Sequence, residues 1–410
     1  MQQSKNKSLR WIVLLLGSLA LLSLCACGQK SNPQSSQGVT SQPTPSPTGE
    51  KISSKAEELM KDMSNREKVG QLFIIRPESL DLSLTPQQVN DAYDYGVTAL
   101  SDEMAEVLKK YPVGGIALFG KNIQDPGQLK TFIGDMQHSC AIPLFMGVDE
   151  EGGKVSRVAQ NPAFPVQQYE SMAKIGESSD EDKAYEVGAT IGEYLKDYSF
   201  NLDFAPVADV NTNPKNPVIG TRAFGSDEKT VAKMVTCLSK GLEDKGIISC
   251  IKHFPGHGDT KTDTHDGYAS TQKNWQEMLQ CEIVPFKQSI DQGVDMVMVA
   301  HITAENVTSD GLPSSLSQEM ISEKLKGELN FKGVVITDAM AMGAITKQYS
   351  PEQAAIKAIN AGVDIVLMPQ DFICAYDGVL QAVEKGEISQ ERLDESVLKV
   401  LKLKEKYGLL

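Results

Sequence analysis

The sequence predicts a single α/β catalytic domain, a (β/α)8 barrel of the TIM type, over residues 51–410. Three observations carry this. Eight short apolar runs recur along the chain, longer amphipathic stretches separate them, and polar residues close most of the runs. Continuous apolar runs suit strands of a parallel sheet covered on both faces, whereas a half-exposed sheet would show alternation. Strand–helix alternation repeated eight times favours a closed barrel over an open doubly wound sheet.

The elements follow in order. KAEELMKDMSNREKVGQ (55–71) reads as an entry helix before the first strand, LFIIR (72–76). VGGIALF (113–119) is the second strand, and DPGQLKTFIGDMQ (125–137) the helix leading to the third, PLFMGVD (143–149). DEDKAYEVGATIGEYLKDY (180–198) precedes FNLDFAPVADV (200–210). EKTVAKMVTCLSKGLEDKG (228–246), stopped by its glycine, leads to IISCIKHF (247–254). MVMVAH (296–301) is the sixth strand. SQEMISEKLKGELN (317–330) precedes GVVITDAM (333–340), SPEQAAIKAINAG (350–362) precedes DIVLMP (364–369), and residues 389–407 close the chain as a helix.

In such a barrel the reactive groups stand at the C-terminal ends of the strands. Asp149 closes the third run, Asp209 the fourth, Lys252 and His253 the fifth, His301 the sixth and Asp338 the seventh. The densest stretch is Lys252-His253-Phe254-Pro255-Gly256-His257-Gly258-Asp259-Thr260, followed by Asp263 and His265. Three of the chain's five histidines fall within it. Gly256 and Gly258 would give the loop backbone angles closed to other residues. Asp263 and His265 are two apart, so in an extended segment they face one way. A carboxylate beside an imidazole fixes its tautomer and raises its pKa, which makes a usable general acid. The same residues are also a conceivable zinc site.

Asp338 at the end of a buried strand is either a nucleophile or the cap of the helix that follows. Asp149-Glu150-Glu151-Gly152-Gly153 reads equally as a ligand-binding loop or a solvated acidic turn. Arg222, in GTRAFG (220–225), reads on its own as a surface arginine. The methionines at 296, 298, 340 and 342 read as core or pocket wall. Walker, dinucleotide-binding, nucleophile-elbow and HExxH motifs are absent from the sequence.

Charge and composition narrow the class. Forty basic against 54 acidic residues give a net charge of −14, which speaks against a nucleic-acid partner. At the N-terminus, Lys5, Lys7 and Arg10 precede the apolar run 11–24 and then Leu24-Cys25-Ala26-Cys27, the pattern of a bacterial lipoprotein signal. Residues 1–26 are therefore expected to be a signal peptide, with Cys27 lipidated. Residues 27–50, rich in Ser, Pro, Gln and Thr, are expected to form a tether. The expected location is extracytoplasmic, held to the cell membrane by lipid. Cys140, Cys237, Cys250, Cys281 and Cys374 show no CxxC spacing and read as mainly buried free thiols.

KHFPGHGDTKTDTH, together with DEEGGKVSR, FAPVADV, GTRAFG and VVITDAM in this order, resembles glycoside hydrolase family 3, in its β-N-acetylhexosaminidase branch. The resemblance covers about residues 55–405. It implies a retaining double displacement on a carbohydrate, with Asp338 as nucleophile and His265 as acid/base oriented by Asp263. It also implies sugar contacts from Asp149, Arg157, Arg222, Lys252 and His253, and neither metal nor cofactor. The implied reaction releases terminal N-acetylglucosamine from muropeptides or chitooligosaccharides. The alternatives are a family 3 β-glucosidase or β-xylosidase, an N-acetylglucosaminide phosphorylase, and a non-enzymatic sugar-binding lipoprotein. A second α/β domain, common in the family, is not expected here, so the site should be built from the barrel alone.

Overall fold

The computed structural model describes residues 54–91, 95–260, 264 and 267–410. Residues Ile52–Leu410 form one compact unit. The expected signal segment and tether, Cys27 included, lie outside the described residues.

Eight parallel strands make the ring: β1 (Phe73–Ile75), β2 (Gly115–Leu118), β3 (Phe145–Val148), β6 (Leu202–Asp203), β7 (Ile248–Phe254), β9 (Met296–Val299), β11 (Val334–Thr337) and β12 (Val366–Leu367). Each falls inside one of the eight apolar runs. Two small additions sit among them: the pair β4 (Glu150–Gly152) and β5 (Val155–Ser156), and the parallel pair β8 (Ala269–Asn274) and β10 (Ile302–Asn306). The sheet runs β11-β9-β7-β6-β3-β2-β1-β12 and closes through one bridge, Ile336 to Ile365.

At this seam side chains add to the backbone bonds, among them Thr337 N to Ile365 O at 3.0 Å. Thr337 Oγ1 accepts from Leu367 N at 3.0 Å, and the fully buried Asp364 accepts from Val335 N at 3.0 Å. Asp364 also takes Ser396 Oγ at 2.7 Å and Arg392 Nη2 at 3.0 Å. Burial would push its carboxyl up, but Lys326, Lys399 and Arg392 hold it below the usual range.

The interior is filled rather than open. Ile74, Phe145, Leu202, Ile248, Cys250, Met296, Met298 and Ile336 pack inside the ring, joined from below by Val400 and Leu403 of the closing helix Gln390–Lys406. Lys404 of that helix is buried there, with Nζ 2.7 Å from Gln71 Oε1 and 4.9 Å from the centre of the Phe145 ring. A larger apolar layer lies between strands and helices.

Four expectations are corrected. The entry helix is two, Lys55–Asp62 and Asn65–Gln71, because Ser64 and Glu67 form a reciprocal cap that starts a new helix. The fourth run is regular strand only at Leu202–Asp203; Pro206 has no N–H for a ladder, and beyond it a single bridge joins Val207 to Lys252. Residues Glu319–Glu328 wind as a π-helix. The cysteines are free, but only Cys250 is fully buried; Cys374 is exposed and the other three are half-buried.

Candidate active site

The C-terminal ends of the strands surround a cleft of about 210 Å³ that opens to solvent. Arg76 follows β1, Phe119 follows β2, Asp149 follows β3, Lys252 and His253 lie in β7, and Asp338 follows β11. Six of the candidates named above, Asp149, Arg157, Arg222, Lys252, His253 and Asp338, line this one space. Asp263 and His265 lie outside the described residues. Thr264 between them is described and lines the cleft.

The three acids after β3 divide by strand alternation. Asp149 and Glu151 face the cleft, while Glu150 faces away. Glu150 accepts from Val158 N at 2.8 Å, Ala159 N at 2.9 Å and Tyr194 Oη at 2.8 Å. That fixes the turn carrying Arg157. The solvated-turn reading of this segment therefore fails: all of Glu150–Gly152 is buried.

Asp149 and Glu151 are embedded in cations. Lys252 Nζ lies 2.7 Å from Asp149 Oδ1 and 2.6 Å from Glu151 Oε1. Arg222 grips Glu151 with two parallel bonds, Nε to Oε2 and Nη2 to Oε1, both 2.7 Å. Arg157 Nη2 stands 3.6 Å from Asp149 Oδ2. Arg222 is thus a half-buried, doubly paired arginine whose guanidinium is held by Glu151. Its partner lies 71 positions away, a pairing the local sequence does not show.

The energetics fix every charge in this group. Burial would push the Glu151 carboxyl up, yet Arg222 and Lys252 hold it far below the usual range. Asp149 is likewise lowered, burial being outweighed by Lys252 and Arg157. Burial would lower Lys252, but Asp149 and Glu151 raise it above an ordinary lysine. Lys252 therefore stays an ammonium at neutral pH, able to donate hydrogen bonds but not to act as a base.

His253 and His257 are set by Asp209, which is fully buried. Asp209 Oδ2 is 2.6 Å from His253 Nδ1, and Oδ1 accepts from His257 N at 2.6 Å. Burial lowers the His257 pKa and favours its neutral form; its ring nitrogens contact Thr260 Oγ1 at 2.6 Å and Thr264 Oγ1 at 3.3 Å. The two glycines beside it serve different ends. Gly256 has φ +126°, a left-handed value, whereas Gly258 is needed for space: a Cβ there would lie 1.9 Å from the Val210 carbonyl oxygen.

Asp338 begins directly after β11. Its Oδ1 accepts from Ala339 N at 2.7 Å, and its N–H donates to Val299 O at 2.9 Å. The helix-cap alternative fails, because the next helix, Gly343–Thr346, starts after Met342. His301 contacts the Ala339 carbonyl through Nε2 at 3.0 Å, so it steadies the peptide beside Asp338. Met298 lines the cleft, while Met296, Met340 and Met342 are buried, as wall and core.

Sequence reasoning passed over Arg76 and Phe119 as site residues, and gave Glu151, Asp209 and His257 no individual role. Arg76 closes the first apolar run just as the named residues close theirs, so the signal was present. Its guanidinium carbon lies 4.1 Å from the centre of the Phe119 ring, with Nε and Nη1 buried and unpaired among the described residues.

The family model for the glycosyl hydrolase family 3 N terminal domain matches residues 64–403. The chain belongs to glycoside hydrolase family 3. This family 3 chain is 32% identical over 335 residues to Beta-hexosaminidase A of Pseudoalteromonas piscicida, covering 76% of itself and 56% of that relative. It is 34% identical over 306 residues to a Beta-hexosaminidase of Hydrogenovibrio crunogenus, covering 73% and 84%. Among solved structures, a family 3 β-N-acetylglucosaminidase from Paenibacillus sp. superposes with a TM-score of 0.77 at 35% identity, covering 85% of this chain and 63% of the other. The likeness to these proteins agrees with the observed barrel. The chain spans little more than half the length of the first of these relatives.

Proposed function

We propose that this family 3 chain is an exo-acting, retaining β-N-acetylglucosaminidase that releases terminal N-acetylglucosamine from cell-wall muropeptides or chitooligosaccharides. The observation that carries the reading is Asp338, a carboxylate directly after the seventh barrel strand that lines the cleft together with Asp149, Arg222, Lys252 and His253. The β-hexosaminidase names of the relatives support the substrate class.

In this reading Asp338 attacks the anomeric carbon as the glycosidic bond breaks. His265, oriented by Asp263, gives its proton to the leaving oxygen. Water, deprotonated by the same imidazole, then attacks the glycosyl-enzyme ester, releases the sugar with retained configuration and restores both groups. Asp149, Arg157, Arg222, Lys252 and His253 bind the sugar hydroxyls, and the open donors of Arg76 add to them. Two carboxylates about 5–5.5 Å apart are usual for retention; here a His–Asp pair takes the second place.

The test compares nitrophenyl β-N-acetylglucosaminide with the β-glucoside, with and without phosphate, and follows product configuration by NMR. Preference for the N-acetyl substrate with retention supports the reading. Faster turnover with phosphate reassigns the chain as a phosphorylase, and turnover of neither substrate removes the glycosidase. Asp338→Asn should lower kcat by at least about a thousandfold while sparing sugar binding.

For location, we propose that Cys27 is acylated and that residues 28–50 tether the domain outside the cell. The basic, apolar and cysteine pattern of residues 5–27 supports this. No helix among the described residues is long and apolar enough to cross a membrane.

A further inference from the structure

Two imidazoles form part of the cleft wall, and one carboxylate holds both. The His253 and His257 rings stand 6.0 Å apart and nearly perpendicular. Asp209 lies behind them with no exposed surface. Its Oδ2 meets His253 Nδ1 at 2.6 Å, and its Oδ1 accepts the backbone N–H of His257 at 2.6 Å and that of His253 at 3.3 Å. The two backbone contacts bring protons to Asp209, and the ring contact does so too when Nε2 accepts from the Arg222 guanidinium, so the group there must be acceptor-only. An ionised carboxylate satisfies that; an amide would turn two protons of its own toward donors.

The other face of His253 completes the argument. Its Nε2 lies 3.3 Å from Arg222 Nη2, and a guanidinium only donates. With Nδ1–H given to Asp209, Nε2 is an acceptor. The ring is therefore held from both sides, its Nδ1–H by Asp209 and its Nε2 lone pair by the Arg222 N–H. His257 is placed through its backbone and then locked by Thr260 and Thr264.

We propose that Asp209 is a positioning residue that sets the His253 tautomer and the place of His257 together, so that both imidazoles present one fixed wall to the sugar. The inference rests on the glycosidase reading for its kinetic consequence, but not for its structural one.

The experiment uses the full chain with Asp209→Asn, Asp209→Glu, His253→Ala and the Asp209→Asn/His253→Ala double variant. Expected for Asp209→Asn is a drop in kcat/KM of at least about tenfold, in line with a small misplacement of binding groups. In the His253→Ala background the same change should still cost activity, through His257, but less than in the parent. Unchanged kcat and KM, or a lowered melting temperature alone, would overturn the proposal. So would full independence of the two changes, or no further loss in the His253→Ala background. If Asp209→Asn does not fold, Asp209→Glu keeps the charge but shifts the carboxylate, and the same drop is expected. Histidine ¹⁵N shifts give a readout free of catalysis: Asp209→Asn should abolish the single Nδ1–H tautomer of His253. A parent protein that shows this tautomer but no turnover would sink the glycosidase reading and leave Asp209's role standing.

Discussion

Glu151 is the residue on which the cleft's charges turn. It binds Arg222 and Lys252 at once and is 1% exposed. Removing one member of a buried ionic group leaves the others uncompensated, at a cost of about 3 kcal/mol or more. Glu151→Gln should lower stability by that order in chemical denaturation and weaken sugar binding, because both cations lose their fixed direction. A second prediction concerns Lys404. Burial pushes its pKa down to about 7, below the roughly 10.4 of a free lysine. Between these values the unfolded chain binds the extra proton, so stability rises with pH from about 7 to 10, with a slope of up to about 1.4 kcal/mol per unit. Lys404→Met should flatten this rise, as read from denaturation midpoints across the same range. Strand-end residues such as Asp149, Lys252 and Asp338 were readable from sequence because polarity at the end of an apolar run is conspicuous. The pairings of Glu151 and Asp209 were not, because their partners are tens of residues away and only the fold brings them near.

At the scale of elements, the eight strands were legible because burial on both faces writes an uninterrupted apolar run. The β8–β10 pair was not: ASTQKN and ITAEN mix polar with apolar residues and carry no continuous apolar run. Nor was the break at Ser64, where a local cap overrides one continuous amphipathic pattern. The turn after β7 makes a sharper claim. A methyl group at 258 would collide with backbone, not with a flexible side chain. Gly258→Ala should therefore displace the turn and lower kcat/KM by more than about tenfold, with the melting temperature measured in parallel. Gly134, in the helix Pro126–His138, has open space around it, and Gly134→Ala should leave kinetics unchanged.

For the whole molecule, the barrel was predictable because a rhythm repeated eight times admits few architectures. For the proposed membrane attachment, metabolic labelling with palmitate should mark the full chain at Cys27. Cys27→Ala should abolish the label and shift the protein from the membrane to the soluble fraction; a labelled variant would refute the assignment. The ring closes where β11 meets residues 364–368, with Thr337 N donating to Ile365 O at 3.0 Å and Met340 N to Leu367 O at 2.9 Å. These segments lead into Asp338 on one side and Leu367 and Met368 on the other, all of which line the cleft. The closure of the barrel is thus also a wall of the pocket. A ligand spanning it acts as a rivet: the amide hydrogens of Thr337 and Leu367 should exchange more slowly with solvent when the pocket is filled, and occupancy becomes measurable without any turnover at all.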